Sequence, residues 1–197
     1  MRSKRYLAIV VGLGAAAMPI AALGQSVSVT RSIFADQPYT LIYPEVMIAS
    51  GGAGEPLVIN HPNAPLQCDL SIVPVEDTEW SAEAAVSAID TAAVTASWAE
   101  TFPGFVLGQT GTTQYQDATA LFYEGTSESS PMNVPVTLMH TETVASGRGY
   151  ALDCIYATSV AEEIRPLVDF IVANFATRSD AECCIGATAE PDPAPAQ

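Results

Sequence analysis

The stretch LQCDLSIV, residues 66–73, alternates apolar and polar side chains and is the clearest strand signal in the chain. Every second residue from Leu66 to Ile72 is apolar, and such residues point to the same face of a sheet. Pro74 then interrupts the pattern. The stretch predicts a half-buried β-strand, with a hydrophobic core on one side of its sheet.

Further strands are predicted where β-branched and aromatic residues are enriched between turn residues. We place them at residues 26–30, 39–43, 46–49, 57–60, 105–110, 118–124, 134–140 and 150–157. Short links rich in Gly, Ser and Pro join the later strands, and a parallel crossover needs a longer connection. The strands are therefore expected to form an antiparallel sheet.

Two helices are predicted between and after these strands. The first covers residues 81–100, begins at a cap formed by Asp77, Thr78 or Ser81, and carries a small-residue stripe expected to approach the sheet closely. This stripe comprises Ala85, Ile89, Ala92, Ala93 and Ala96.

The second helix is expected at residues 161–176, with one apolar face and a capping box formed by Ser159 and Glu162. Pro166 requires an early helical position or a local kink. No repeat or internal linker divides the chain, so we predict a single α+β domain at residues 25–185. Its antiparallel sheet has six or seven strands, with two main helices packed on it. Residues 186–197, rich in Pro and Ala, are expected to form a disordered tail.

Residues 1–24 have the pattern of a secretory signal peptide. Basic residues at positions 2, 4 and 5 precede an uncharged run, and Ala22 and Gly24 supply the small side chains required before a cut at Gln25. An uncleaved anchor is the alternative, but the apolar run is short for a membrane span of about 20 residues. We expect a periplasmic or secreted protein with no membrane span in the mature chain.

The chain is acidic, with 22 Asp and Glu against 7 Lys and Arg and a net charge of −15. Cleavage would remove three basic residues, including Lys4, the only lysine, and would leave 173 residues with a net charge of −18. Such a protein lacks the clustered cations that bind nucleic acid or anionic lipid. Self-repulsion that favours solubility explains the charge, while attraction to a cation or a basic partner is the alternative.

The four cysteines, Cys68, Cys154, Cys183 and Cys184, are predicted to form structural disulfides because the count is even and the chain is exported. Three pairings are open. Cys68 and Cys154 each fall in the apolar phase of a strand, so their sulfurs are expected on the same core face. A bond between the adjacent Cys183 and Cys184 is conceivable but strained, and the spacing of the four is poor for zinc.

Candidate catalytic residues are few. His140-Thr141-Glu142 matches half of a zinc deaminase signature whose cysteine half is missing, so His140 is interpreted as a strand-end residue and His61 as a loop residue. No nucleophile elbow, calcium loop or phosphate-binding loop occurs. We therefore predict no catalytic, cofactor or metal site. A dispersed Ser–His–acid site is the alternative, because triads can form from distant positions.

The end of the chain resembles PsbP-like and DcrB-like domains. The resemblance covers about residues 80–175 and rests on element order and on Gly149-Tyr150-Ala151-Leu152, Glu163-Ile164-Arg165-Pro166-Leu167, Phe170-Ile171 and Asn174-Phe175. It implies an antiparallel sheet with helices on its faces, and a non-enzymatic accessory role outside the membrane. The partner it implies is another envelope protein. A periplasmic hydrolase or a small-ligand or cation binder is the alternative.

Overall fold

The computed structural model describes residues 29–31, 37–52, 55–76 and 79–184. The expected signal peptide, the expected tail and the possible caps Asp77 and Thr78 lie outside the described residues. These residues form ten strands: β1 (Val29–Arg31), β2 (Thr40–Pro44), β3 (Ile48–Gly51), β4 (Leu57–Asn60), β5 (Leu66–Pro74), β6 (Val106–Gln114), β7 (Thr119–Ser127), β8 (Val136–Ala145), β9 (Arg148–Ala157) and β10 (Phe175–Ala176). The helices are α1 (Ala82–Ala88), α2 (Thr91–Ala99) and α3 (Ala161–Ala173), the last preceded by a 3-10 turn.

The predicted antiparallel sheet is confirmed. Seven strands pair in the order β3-β4-β5-β9-β8-β7-β6, and every neighbouring pair is antiparallel. The prediction of a single sheet is incomplete, because β2 pairs with β1 and β10 in a separate three-stranded sheet. The predicted strand at 134–140 is also too short, since β8 continues to Ala145 before a two-residue turn at Ser146 and Gly147.

The single helix predicted at 81–100 is wrong, because the chain forms two helices there. Ile89 leaves the helical conformation with a ψ of 122°, and the Asp90 carboxylate then accepts hydrogen bonds from the backbone N–H groups of Ala92 and Ala93. An aspartate in this position starts a helix. Ser81 caps α1 in the same way, by accepting a hydrogen bond from the backbone N–H of Ala84.

Two further helix predictions fail. The α2 part of the small-residue stripe does not line the sheet, since Ala92, Ala93 and Ala96 are exposed, whereas Ile89 packs against the second core cluster. Ser159 and Glu162 form no capping box, because Ser159 lies within the 3-10 turn and no side chain caps α3. No helix in the described part of the chain is long and apolar enough to cross a membrane.

The two faces of the seven-stranded sheet are covered differently. One face, here the core face, packs against α3, β2 and β10 and contributes Leu70, Leu152 and Tyr156 to the main hydrophobic core. Among the described residues, the opposite face, here the open face, is covered by α1 and α2 only at its β6-β7-β8 end. The second core cluster lies there and comprises Phe102, Phe105, Tyr123, Val136 and Leu138.

A disulfide links two adjacent strands within the main core. Cys68 of β5 and Cys154 of β9 lie directly opposite each other, with their Cα atoms 4.1 Å apart, and form this bond on the core face. Of the three pairings open from the sequence, the structure has Cys68–Cys154 together with Cys183–Cys184. Since all four cysteines lie in the described residues, no free thiol is left.

Candidate binding groove on the open face

The strand register assembles four polar side chains into a row across the open face. Asp69 on β5 lies opposite Asp153 on β9, Asp153 lies opposite His140 on β8, and His140 lies opposite Tyr123 on β7. Residues directly opposite each other in an antiparallel sheet share a face. The row therefore runs from the uncovered β5 side of the face to the part beneath α2.

His140 is a buried mid-strand residue, and its interpretation as a strand-end residue is wrong because β8 extends five residues beyond it. Its Nδ1 lies 2.6 Å from a carboxylate oxygen of Asp153, and its Nε2 lies 3.4 Å from one of Glu142. Burial alone would lower the pKa of the imidazole, but the hydrogen bonds and negative charges of Asp153 and Glu142 raise it to about 9. His140 is therefore a cation at neutral pH, held between two carboxylates.

An aromatic pair connects this cation to α2. The ring of Tyr123 stacks on the His140 imidazole, with centroids 4.3 Å apart and planes 15° from parallel. The Nε1–H of Trp98 donates a 2.7 Å hydrogen bond to the Tyr123 hydroxyl oxygen. Burial raises the pKa of Tyr123 to about 12, so its hydroxyl stays protonated. The end of α2 is thus joined to the charged row by two side-chain contacts.

The other end of the row is a pair of carboxylates. Asp69 accepts a 2.8 Å hydrogen bond from the side-chain amide of Gln67. Burial raises the pKa of Asp69, the Gln67 hydrogen bond opposes this rise, and the negative charge of Asp153 adds to it. The two aspartates therefore repel each other, and this repulsion disfavours the ionised pair.

A groove of about 630 Å³ lies above these carboxylates. Its floor is the uncovered part of β5 and β9, with Asp69 and Asp153 among its polar groups. Its walls come from the end of α2, the loop between β7 and β8, and the loop between β4 and β5. The apolar wall residues are Trp98, Phe102, Pro131, Met132, Ala64 and Pro65. The groove thus combines an acidic floor with apolar walls.

The groups in and beside the groove do not form a nucleophilic triad. Both ring nitrogens of His140 face carboxylates, and all four cysteines are in disulfides. His61 lines the groove on the loop after β4, where its Nδ1 accepts a hydrogen bond from the backbone N–H of Asn63. Among the described residues, no three His, Cys, Asp or Glu side chains are close enough together to hold a metal ion.

Sequence reasoning missed the charged row, although the β8–β9 hairpin contains a signal for it. A two-residue turn fixes the register of a hairpin, so Ser146-Gly147 determines that His140 pairs with Asp153. The predicted strand ended at His140, which hid this register. The pairing of β5 with β9, which brings Asp69 beside Asp153, joins residues far apart in sequence and has no comparable local signal.

The fold is similar to that of two solved structures. The cyanobacterial PsbP, CyanoP, from Synechocystis sp. PCC 6803 has a TM-score of 0.52 and 15% identity, over 83% of this chain and 98% of that one. The Ran-binding protein Mog1p of Saccharomyces cerevisiae has a TM-score of 0.52 and 9% identity, over 77% of this chain and 96% of that one. No protein-family model and no curated protein matches the sequence. The chain thus has the PsbP-like fold, an antiparallel sheet with helices on its faces.

Proposed function

We propose that the protein is exported and acts as a non-enzymatic interaction domain that binds another envelope protein in the groove. The observation that carries the proposal is the part of the open face that no described helix or strand covers, where apolar walls surround an acidic floor. Apolar surface that remains exposed in a contiguous patch is typical of protein interaction sites. Met132, on the wall, has 49% of its surface exposed, a high value for a large apolar side chain.

Export is supported by the sequence and by the disulfide. Residues 1–24 have the pattern of a signal peptide, and the Cys68–Cys154 bond suits an oxidising compartment such as the periplasm or the extracellular space. CyanoP and Mog1p provide a fold precedent, since the latter is a Ran-binding protein. A shared fold does not transfer a partner, so the envelope protein is inferred from export and from the groove.

The chemistry of the charged row favours binding over hydrolysis. A histidine with a pKa of about 9 is already protonated at neutral pH and is a poor general base there. In the described part of the chain, neither of its ring nitrogens is hydrogen-bonded to a serine or cysteine. Asp153 and Glu142 therefore serve to hold the imidazolium in place rather than to activate it.

A matched pair of variants tests the proposal. The tagged chain is produced from its full-length precursor in its native host, crosslinked and purified from the envelope. Gln67→Lys places a cation on the groove floor, whereas Gln109→Lys makes the same change at an exposed position of β6, outside the groove. We expect one protein to copurify with the wild type and with Gln109→Lys, and to be lost with Gln67→Lys.

The same preparation tests export. Intact-mass measurement is expected to give a chain that begins at Gln25. A chain that retains residues 1–24 in the cytoplasm would contradict export. Equal capture by both lysine variants would contradict binding in the groove, and the absence of any specific copurifying protein would contradict the interaction domain itself.

A further inference from the structure

The carboxylates of the groove lack a matching cation in the described part of the chain. Asp69 and Asp153 line the groove, Glu142 lies beside His140, and His140 is the single cation that contacts any of these three carboxylates. The imidazolium contacts Asp153 and Glu142, while Asp69 is hydrogen-bonded only to the neutral amide of Gln67. The cluster therefore keeps an excess of two negative charges beside an apolar surface, where charge is poorly screened.

The three arginines whose side chains the structure describes lie elsewhere. Arg165 is held on the core face by Glu124 and Asp169, at 2.6 Å and 2.7 Å. Arg178 pairs with Asp180 and Asp117, and Arg148 donates to the carbonyl of Ser146. The chain has no lysine after Lys4. None of these three arginines contacts Asp69, so the side chains that the structure describes supply no cation to complement it.

The spacing of the two aspartates suits a guanidinium group. Directly opposed residues in an antiparallel pair have Cβ atoms about 5 Å apart, so Asp69 and Asp153 are neighbours on the groove floor. A guanidinium presents several N–H groups in a rigid plane and can donate to both carboxylates at once, whereas an ammonium acts as a compact point charge.

The walls suit the rest of an arginine side chain. Arginine buries its aliphatic stem against apolar surface, and Pro65, Pro131 and Met132 provide such a surface. Trp98 also lines the groove, and indole rings attract guanidinium groups through cation–π contact. A divalent ion fits less well, because calcium takes six to eight oxygen ligands and the described residues offer no group of three ligand side chains.

We infer that the groove binds an arginine side chain on a segment of the partner protein, with its guanidinium between Asp69 and Asp153 and its stem against the apolar walls. This inference rests on the proposed function and specifies the partner chemistry. Neutralisation of the opposed carboxylates supplies the affinity, and the apolar walls select a peptide-borne arginine over a free inorganic cation.

The probe for this inference is a blocked peptide, acetyl-Gly-Phe-Arg-Pro-Gly-amide. Two matched peptides replace its arginine by citrulline, which is neutral and of similar shape, or by lysine. Binding is followed by backbone-amide shifts of the ¹⁵N-labelled mature protein. We expect the arginine peptide to shift amides of β5, β9 and the loop at residues 130–134. We expect citrulline to weaken binding by about tenfold, as the loss of a charge-assisted contact predicts, and lysine to bind less tightly than arginine.

Asp69→Asn is the deciding variant because it removes one carboxylate and relieves its repulsion with Asp153, so the fold is expected to be retained. Glu45→Gln, in the exposed turn between β2 and β3, removes the same charge outside the groove. We expect Asp69→Asn to lower the affinity for the arginine peptide by about tenfold and Glu45→Gln to leave that affinity unchanged.

Equal binding of the arginine and citrulline peptides would overturn the inference, and so would unchanged affinity in Asp69→Asn or shifts confined to another face. These outcomes are separable from failure of the proposed function. If Gln67→Lys abolishes partner capture while Asp69→Asn leaves it intact, the interaction domain stands and the arginine contact is wrong.

Discussion

His140 illustrates how a buried charge is made tolerable in this sheet. With only 8% of its surface exposed, an unpartnered imidazolium would be strongly disfavoured, yet two carboxylates and a stacked tyrosine surround it. Asp153 faces it from β9, Glu142 from its own strand and Tyr123 from β7. The pKa of about 9 follows from these partners.

This arrangement predicts a specific pH dependence of stability. Because the folded-state pKa of about 9 lies above the ordinary value of 6.5, protonated His140 stabilises the fold fully below pH 6.5. That contribution, about 3 kcal/mol, is lost as the pH rises from 6.5 to about 9. Urea unfolding of the wild type across this interval is expected to show the decline. His140→Gln should remove most of this decline in the free energy of unfolding. If the variant shows the same decline as the wild type, the pH dependence comes from other groups.

The three helices differ in how firmly they are attached to the sheet. Four residues of α3 are buried in the main core, namely Ile164, Val168, Ile171 and Val172. In α2 no residue is buried, and Val94 and Trp98 are only partly covered. Since helix stability in proteins comes mainly from packing, α2 is held less strongly than α3. The groove is thus bounded on one side by the well-packed sheet and on the other by the end of α2, which is packed less tightly.

The same substitution in the two helices measures this difference. Val168→Ala is expected to lower the free energy of unfolding by about 2 kcal/mol, because it removes fully buried methyl groups and leaves a cavity. Val94→Ala is expected to cost less than about 1 kcal/mol, since its side chain is only partly buried. Urea unfolding at fixed pH gives both values. A larger cost at Val94 would show that α2 is part of the cooperative core.

Features that depend on neighbouring residues could be predicted from the sequence, and features that depend on residues far apart in the chain could not. The alternation in residues 66–73 identified β5 because it is a local property, and short turns identified its antiparallel neighbours. The break at Ile89 and Asp90 was missed because helical periodicity continues across it, although Asp90 is a good helix cap. The Asp69–Asp153 pair depends on β5 lying beside β9, a long-range pairing that no local pattern specifies.

The whole molecule is constrained by one long-range covalent link. Cys68 and Cys154 are 86 residues apart in sequence, and their bond joins the first half of the seven-stranded sheet to the second. In the chain-entropy account, a bond that closes so long a loop removes much of the conformational entropy of the unfolded chain and thereby stabilises the fold. The bond also lies in the pair of strands that provides the groove floor.

Removal of this disulfide is expected to be costly. The double variant Cys68→Ala and Cys154→Ala should lose about 4 to 5 kcal/mol of stability, as the loop length predicts. The double variant Cys183→Ser and Cys184→Ser is the control, because these cysteines are adjacent and their link closes no loop; it should change stability by less than about 0.5 kcal/mol. Denaturant unfolding of both variants checks this, and equal losses would contradict the role given to the β5–β9 bond.

The groove itself is tested most directly by photo-crosslinking in the living cell. A photoreactive amino acid at Met132, on the groove wall, is compared with one at Val106, an exposed residue of β6 outside the groove. We predict that Met132 captures one protein at a yield that falls when Gln67→Lys is added, while Val106 captures none. The groove would be contradicted as the interaction surface if Val106 captured the same protein. It would also be contradicted if the crosslinking yield at Met132 did not change when Gln67→Lys is added.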